Sequence, residues 1–167
     1  MKRIERKKIG MVAGALLLSL TVVWAAERPP LPFSKDGKFG YQGRKREVVI
    51  EPKYDFANEF SEGFAAVGVG AYPKTKWGYI DLTGKMVIEP KFDEAYAFSE
   101  GIAAVRMGVT EKAKGQLGYI DKTGKYIVEP KFDEAEPFKD GRARVRIIKE
   151  GYGYINTKGE VVEALKL

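Results

Sequence analysis

The chain has 167 residues, contains neither cysteine nor histidine, and carries a formal net charge of +6. A disulfide scaffold, thiolate chemistry, a Ser-His-Asp triad and a His-ligated metal site are therefore excluded. Hydrophobic residues make up 44% of the chain, which predicts a folded domain and not a disordered one.

The first segment has the layout of a secretory signal peptide. Basic residues crowd the start of the chain, residues 9–26 carry no charge, and a proline-broken polar stretch follows from Glu27. A positive end, an apolar helix and a small-residue exit predict a signal peptide over residues 1–25, with cleavage after Ala25 and export to the periplasm or out of the cell. The alternative is an uncleaved inner-membrane anchor over residues 9–26, since 18 apolar residues are just enough to cross a bilayer.

The signal segment also holds most of the net positive charge. Five basic residues and one acidic residue give residues 1–25 a net charge of +4, which leaves +2 on the rest of the chain. An exported domain with so balanced a charge is a poor candidate for binding DNA or RNA. We therefore expect no nucleic-acid partner, and contact with a membrane only through the N-terminal segment if it is not cleaved.

Residues 26–36 are predicted to be a linker, and residues 37–167 form a tandem repeat. Glycines at a constant place in each copy mark the frame, at Gly40, Gly78, Gly118 and Gly153, with steps of 38, 40 and 35 residues. Residues 78–105 and 118–145 are identical at 18 of 28 positions, a degree of self-similarity that identifies a repeat protein. The units begin near residues 39, 77 and 117, and a half unit begins at 152.

The second unit begins with Lys76-Trp77-Gly78 and contains the blocks Gly-Tyr-Ile-Asp…Thr-Gly-Lys, Glu-Pro-Lys-Phe-Asp-Glu-Ala and Phe-Ser-Glu-Gly-x-Ala-Ala-Val. With these blocks the repeats resemble the bacterial WG repeat, also called KWG after that triplet. The tryptophan is replaced in the other units, by Phe39, Leu117 and Tyr152. The resemblance implies an all-β repeat domain that is common in exported bacterial proteins and has no general activity. It supplies no catalytic residue, no cofactor and no metal ligand.

The residues themselves also predict β-structure. In the second unit, aromatic and β-branched residues flank the cluster 81–85, which is typical of a β-hairpin. Gly84 can adopt a positive φ, and the Asp81 carboxylate can accept hydrogen bonds from the turn. One unit cannot bury its own apolar face, so units must pack together. We expect an all-β fold, a tandem meander of short antiparallel strands that is solenoid-like or forms a small closed, propeller-like array.

Aromatic residues recur at repeat spacing, at Tyr79, Tyr119, Tyr154, Phe98 and Phe138. Residues that recur in register are predicted to form the core between units, against the alternative of a sugar-stacking face.

The paired carboxylates Asp93-Glu94 and Asp133-Glu134 suggest a glycosidase mechanism. However, copies of one block do not supply the two different environments that an acid and a nucleophile need.

One feature breaks the repeat. The positions of Phe64, Ala66 and Gly68 are filled in the next unit by Ile102, Ala104 and Arg106, and in the last full unit by Arg142, Arg144 and Arg146, with Lys149 nearby. Alternate residues of a strand share a face, so the three guanidinium groups lie on one side. They form either a terminal cap that protects an open edge or a docking stripe for an anionic partner such as a phosphorylated glycolipid, an acidic polysaccharide or an acidic protein edge.

The other non-repeating parts are residues 70–76 and 106–116, predicted to be loops, where recognition usually occurs. The sequence thus predicts a non-catalytic binding scaffold of the bacterial envelope, without a cofactor, whose partner is an unknown protein or an anionic envelope component. One alternative is a hydrolase of envelope polymers that uses the non-repeated carboxylates Glu62, Asp140 or Glu150. The other is a structural protein that self-associates through its strand edges.

Overall fold

The computed structural model describes residues 28–147 and 150–164. Within these ranges the chain forms fifteen β-strands, and no helix there has the length and apolarity needed to cross a membrane. The predicted signal peptide with its cleavage site, the anchor alternative over residues 9–26, and Lys149 all lie outside the described residues.

The strands form four small antiparallel sheets, each a meander of consecutive strands. Sheet 1 consists of β1 (Leu31–Lys35), β2 (Lys38–Gln42) and β3 (Val48–Tyr54). Sheet 2 consists of β4 (Phe56–Ala57), β5 (Phe64–Val69), β6 (Lys76–Asp81) and β7 (Met86–Phe92). Sheet 3 consists of β8 (Glu94–Ala95), β9 (Ile102–Val109), β10 (Lys114–Asp121) and β11 (Tyr126–Phe132). Sheet 4 consists of β12 (Glu134–Ala135), β13 (Arg142–Ile147), β14 (Gly151–Asn156) and β15 (Val161–Ala164).

These sheets confirm the all-β prediction, but they do not coincide with the sequence units. The strand that contains the Glu-Pro-Lys block ends one sheet, and the next short strand begins the following sheet after a single residue. Tyr54 ends β3 and Phe56 begins β4, and β7 and β8 are related in the same way. Each sequence unit therefore contributes strands to two sheets, which links neighbouring sheets covalently within every repeat.

Two segments that were predicted to lack strands form hairpins. Within the predicted linker over residues 26–36, β1 pairs with β2 through the two-residue turn Asp36-Gly37, whose φ angles are +52° and +75°. Positive φ at both central residues is the type I′ geometry that Asp-Gly favours, so the dipeptide was the missed signal. The predicted loop over residues 106–116 is also largely strand, because β9 continues to Val109 and pairs with β10 from Lys114.

The turn caps predicted from the sequence are confirmed. The Asp81 carboxylate accepts hydrogen bonds from the N–H of Thr83 at 2.9 Å and from the N–H of Lys85 at 3.1 Å. Asp121 makes the same contacts in the next unit, and the Asn156 side chain replaces the carboxylate in the last. Gly84 has a φ of +81°, as a turn of this kind requires.

The frame glycines have a different cause. The pairing register shifts between Trp77 and Tyr79, and this bulge brings the backbone of β7 close to Gly78. A Cβ atom at Gly78 would collide with the carbonyl oxygen of Ile88 and lie 2.8 Å from the backbone nitrogen of Pro90. Glycine is required here by the close approach of two backbones and not by its φ angle.

The hydrophobic core consists of three clusters, and each cluster joins two consecutive sheets. Tyr41 in sheet 1, Tyr79 in sheet 2 and Tyr119 in sheet 3 are fully buried, and each packs beneath the following sheet. This confirms that Tyr79 and Tyr119, with Phe98 and Phe138, form the core. The core lies between sheets, so Tyr79 and Phe98 of one sequence unit meet across it, and Phe64 of the preceding unit also packs on Phe98. Tyr154 departs from the pattern, since it is only half-buried.

Candidate functional site

Each interface between sheets has the same aromatic contact at its centre. A tyrosine of one sheet packs against the phenylalanine that precedes the tight turn of the next, with ring centroids 4.7 Å apart for Tyr41 and Phe60. The separation is 4.8 Å for Tyr79 and Phe98. It is 5.1 Å for Tyr119 and Phe138. The tyrosine hydroxyl also donates to a backbone carbonyl just after the first strand of the next sheet, and burial raises the pKa of all three tyrosines.

The Phe-Ser-Glu-Gly turns link consecutive units along one edge. The Ser61 hydroxyl donates to the carbonyl of Phe98 at 2.8 Å, and the Glu62 carboxylate accepts from the N–H of Gly101 at 2.9 Å. Ser99 and Glu100 make the equivalent bonds to the turn of sheet 4. The repeated turn residues are therefore occupied by contacts between units.

Sheet 4 has one face that no further sheet of the described residues covers. Ala143 and Val145 point towards sheet 3 and are buried there, so the alternate residues of β13 point the opposite way. Cross-strand pairing places Arg144 beside Tyr154 and Arg146 beside Tyr152. We call this surface the terminal face, and it consists of Arg142, Arg144, Arg146, Tyr152, Tyr154 and Glu163.

The structure thus brings the three predicted arginines together on one surface. The Arg142 guanidinium lies 5.0 Å from the centre of the Tyr154 ring, close to the distance at which phenylalanine packs on tyrosine between the other sheets. Arg144 lies 3.9 Å from the Tyr152 ring centre. Guanidinium groups therefore cover the tyrosines where the ring of a following repeat would pack.

Glu163 is a further charged residue at a position that is apolar in the inner interfaces. It pairs with Tyr154, as Ile88 pairs with Tyr79 and Val128 with Tyr119. Ile88 and Val128 are buried between sheets, whereas Glu163 is exposed. The terminal face therefore carries charged residues where the inner interfaces have apolar contacts, as is expected of a face that no other described sheet covers.

Two of the three arginines are neutralised by carboxylates of β12 and the residues after it. Arg146 lies 2.7 Å from Glu134, which also accepts a hydrogen bond from the Tyr152 hydroxyl, and the bonds from Arg146 and Tyr152 lower the pKa of Glu134. Arg144 lies 3.3 Å from Glu136. The pair of Arg146 and Glu134 repeats the pair of Arg106 and Glu94 in sheet 3, so it belongs to the repeat.

The unbalanced charge lies beside a shallow groove of about 270 Å³ on the terminal face. The groove is lined by Glu136, Pro137, Lys139, Asp140, Arg142, Arg144 and Tyr154. Arg142 and Lys139 are exposed, and among the described residues no carboxylate lies within ion-pair distance of either. Two uncompensated cations beside a tyrosine ring make this groove the strongest candidate site for an anionic group.

The carboxylates considered for hydrolysis have other positions. The Glu62 carboxylate is bound by Gly101 and by Lys122 at 3.0 Å, two sheets away from Asp140. Asp140 lies in the groove with Glu136, and Glu150 lies in the turn between β13 and β14. In the pair Asp93-Glu94, Asp93 bonds to Lys76 and Glu94 bonds to Arg106.

A comparison with protein-family models gives one result. A model described as "WG containing repeat" matches residues 39–71, 77–108, 118–147 and 152–162. The chain belongs to the WG-repeat family. Neither a comparison with curated proteins nor one with solved structures gives a match.

The namesake triplet of the WG repeat has a structural role in this chain. Lys76 forms an ion pair with Asp93, whose other oxygen accepts the N–H of Val109 at 2.9 Å. Burial alone would raise the pKa of Asp93, but the hydrogen bonds from Lys76 and Val109 lower it. Trp77 packs beside the core between sheets 2 and 3.

Sequence reasoning missed three residues of the candidate site. Tyr152 was seen only as a substitute for tryptophan, Tyr154 was assigned to the core, and Lys139 was not considered. The alignment of Lys139 with Ser61 and Ser99 was the available signal, because those serines bind the next unit. A change at such a position indicates a turn that makes different contacts from the inner ones.

Proposed function

We propose that this chain is an exported, non-catalytic β-repeat scaffold of the bacterial envelope, and that it binds a protein or another anionic envelope component through its terminal face. The observation that carries the proposal is the pair of exposed cations, Lys139 and Arg142, which border one groove without a carboxylate partner among the described residues. Charge-assisted hydrogen bonds to such groups are stronger than those between neutral partners.

Capping and binding are compatible on this surface. Stacking on Tyr154 fixes one face of the Arg142 guanidinium, while its N–H groups stay available at the edge of the plane. Prior ordering of the arginine lowers the entropy cost of binding an anion. The exposed loop of sheet 2, where Tyr72 is 85% exposed, provides a second element for recognition.

The proposal is tested with the full chain immobilised and exposed to an envelope extract at low and high salt. The double variant Lys139→Gln/Arg142→Gln should lose captured material about tenfold, and what remains should depend less on salt. Lys158→Gln, in the turn between β14 and β15, is the matched control because it removes an exposed cation of the same sheet outside the groove. Capture that persists in the double variant would contradict the proposal, and aggregation or dimerisation of that variant would indicate a cap alone.

Export and lack of catalysis belong to the same proposal. N-terminal sequencing of the protein from the envelope fraction should begin at Ala26, whereas a retained Met1 would indicate an uncleaved anchor. Asp140 and Glu136 line the same groove, so the hydrolase alternative can be tested separately by changing Asp140. Under that alternative, Asp140→Asn would abolish the release of soluble fragments from purified envelope polymers, whereas we expect no release by the unaltered chain.

A further inference from the structure

We infer that the terminal face receives a tight hairpin turn of a partner protein, and that this turn carries a carboxylate at the position where the repeats carry phenylalanine. The inference rests on the proposed function, since it names the partner of the same surface. Its basis is the set of three inner interfaces, in which one sheet already binds the turn of the next.

At each inner interface, one sheet binds the backbone of the turn that belongs to the next sheet. We call the phenylalanine before that turn the anchor. Tyr79 donates its hydroxyl hydrogen bond to the carbonyl of Tyr96 at 2.7 Å, two residues before the anchoring Phe98. Tyr41 and Tyr119 donate to carbonyls at the same offset, at 2.8 Å and 2.7 Å. Because the acceptor is a carbonyl group, this contact suits any sequence that presents the same turn.

The preceding turn supplies two further contacts to the backbone. In the inner units a serine hydroxyl donates to the carbonyl of the anchor, and a glutamate carboxylate accepts the N–H of the turn glycine. In sheet 4 these positions hold Lys139, still a donor, and Asp140, still an acceptor. Together with the Tyr154 hydroxyl, their side chains make no hydrogen bond among the described residues. Sheet 4 thus keeps the polar groups that bind a turn.

The surface that would contact the anchor is charged in sheet 4, whereas it is apolar in the inner sheets. In sheet 2 the anchoring Phe98 ring packs against Phe64 at 5.3 Å, and Arg142 occupies the position of Phe64 in sheet 4. A phenylalanine entering here would displace the guanidinium from the Tyr154 ring. A carboxylate would instead accept paired hydrogen bonds from the guanidinium and a further bond from Lys139. The geometry therefore favours glutamate or aspartate as the anchor.

The same groups distinguish a protein from other polyanions. The Asp140 carboxylate can accept a backbone N–H, as Glu62 and Glu100 do, and this contact needs a donor at a fixed position three residues after the anchor. A lipid surface or an acidic polysaccharide offers no such donor in a fixed turn geometry. The terminal face is therefore complementary to an acidic peptide turn.

Binding is tested with two cyclised hairpin peptides and the full chain. The first peptide has the sequence of residues 58–65, which already packs on Tyr41, and the second carries the change Phe60→Glu at the anchor. Fluorescence anisotropy should show binding of the glutamate peptide at least about tenfold tighter, the size of one charge-assisted hydrogen bond. Arg142→Gln should remove this preference, Tyr154→Phe should weaken binding about fivefold, and Lys158→Gln should leave it unchanged.

Two other anionic probes separate the inference from the proposed function. Heparin and vesicles containing phosphatidylglycerol are titrated in parallel. If either binds in an Arg142-dependent way while both peptides fail, the partner is not a turn, and the proposed anionic site still stands. If the phenylalanine peptide binds more tightly, the carboxylate anchor is wrong. If no probe binds and capture from the extract does not depend on Arg142, both the inference and the proposed function are wrong.

Discussion

Replacing Tyr119 by phenylalanine removes one hydroxyl group and keeps the ring that packs between sheets 3 and 4. The hydroxyl lies 2.7 Å from the carbonyl oxygen of Glu136, and Tyr119 has no exposed surface. Loss of the bond leaves that carbonyl without this donor in a part-buried position beside the fully buried ring. We expect the free energy of unfolding to fall by about 1–2 kcal/mol. For a domain of this size the melting temperature should fall by about 3–8 °C.

The matched variant is Tyr154→Phe. Tyr154 occupies the equivalent place in sheet 4, but its hydroxyl has no acceptor among the described residues and its ring is only half-buried. The Tyr154→Phe substitution should therefore change the free energy of unfolding by less than about 0.5 kcal/mol. Urea denaturation followed by circular dichroism measures both variants. Equal losses in the two variants, or no loss in Tyr119→Phe, would refute the view that the tyrosines bind the following sheet.

Three further predictions follow from the same contacts. Gly78→Ala should destabilise by about 3 kcal/mol because its Cβ meets the backbone of β7, whereas Gly63→Ala, which meets only open space at a φ of +85°, should cost about 1 kcal/mol. Ser99→Ala should cost about 1 kcal/mol through its lost bond to the carbonyl of Phe138, and Lys139→Ala should cost almost nothing. Stability should also fall as pH rises above about 10, because the unfolded chain then loses tyrosine protons that the three buried tyrosines retain.

These predictions have direct controls. Thermal melting of Gly78→Ala and Gly63→Ala tests whether the bulge requires glycine at residue 78. An equal loss of stability in the two variants would show that the close approach of the β7 backbone is not the reason for this glycine. Ser99→Ala and Lys139→Ala compare an inner turn with the last one. In the alkaline titration each buried tyrosine contributes at most about 1.4 kcal/mol per pH unit, so Tyr119→Phe should make the fall less steep.

Sequence reasoning was most successful where neighbouring residues determine the structure. The Asp81 cap was predicted because the side chain and the backbone that it binds lie within a few residues of each other. It failed for β1, although Asp36-Gly37 carried a local signal, because the segment lies outside the repeat. It also failed for residues 106–116, where the added length extends a hairpin and not a loop.

The candidate site was predicted only in part. The sequence alignment placed three arginines on one side of β13, as the structure confirms. It did not reveal that Glu134 and Glu136 neutralise two of them, because these carboxylates lie on β12 and directly after it, 12 and 8 residues away from the arginines. The uncompensated charge therefore belongs to Arg142 and Lys139, a pair that the repeat alignment alone does not single out.

The sequence by itself determined the tandem repeat, the strand and turn chemistry and the break in the pattern, because hydrogen bonding in turns and the alternation of side chains are local properties of the chain. Only the tertiary structure decided that a unit is shared between two sheets, that no sheet of the described residues covers Tyr154, and which guanidinium groups meet carboxylates. All three results depend on the cross-strand register and on which face of a sheet its neighbour covers. Both are determined by contacts between residues that are far apart in the sequence.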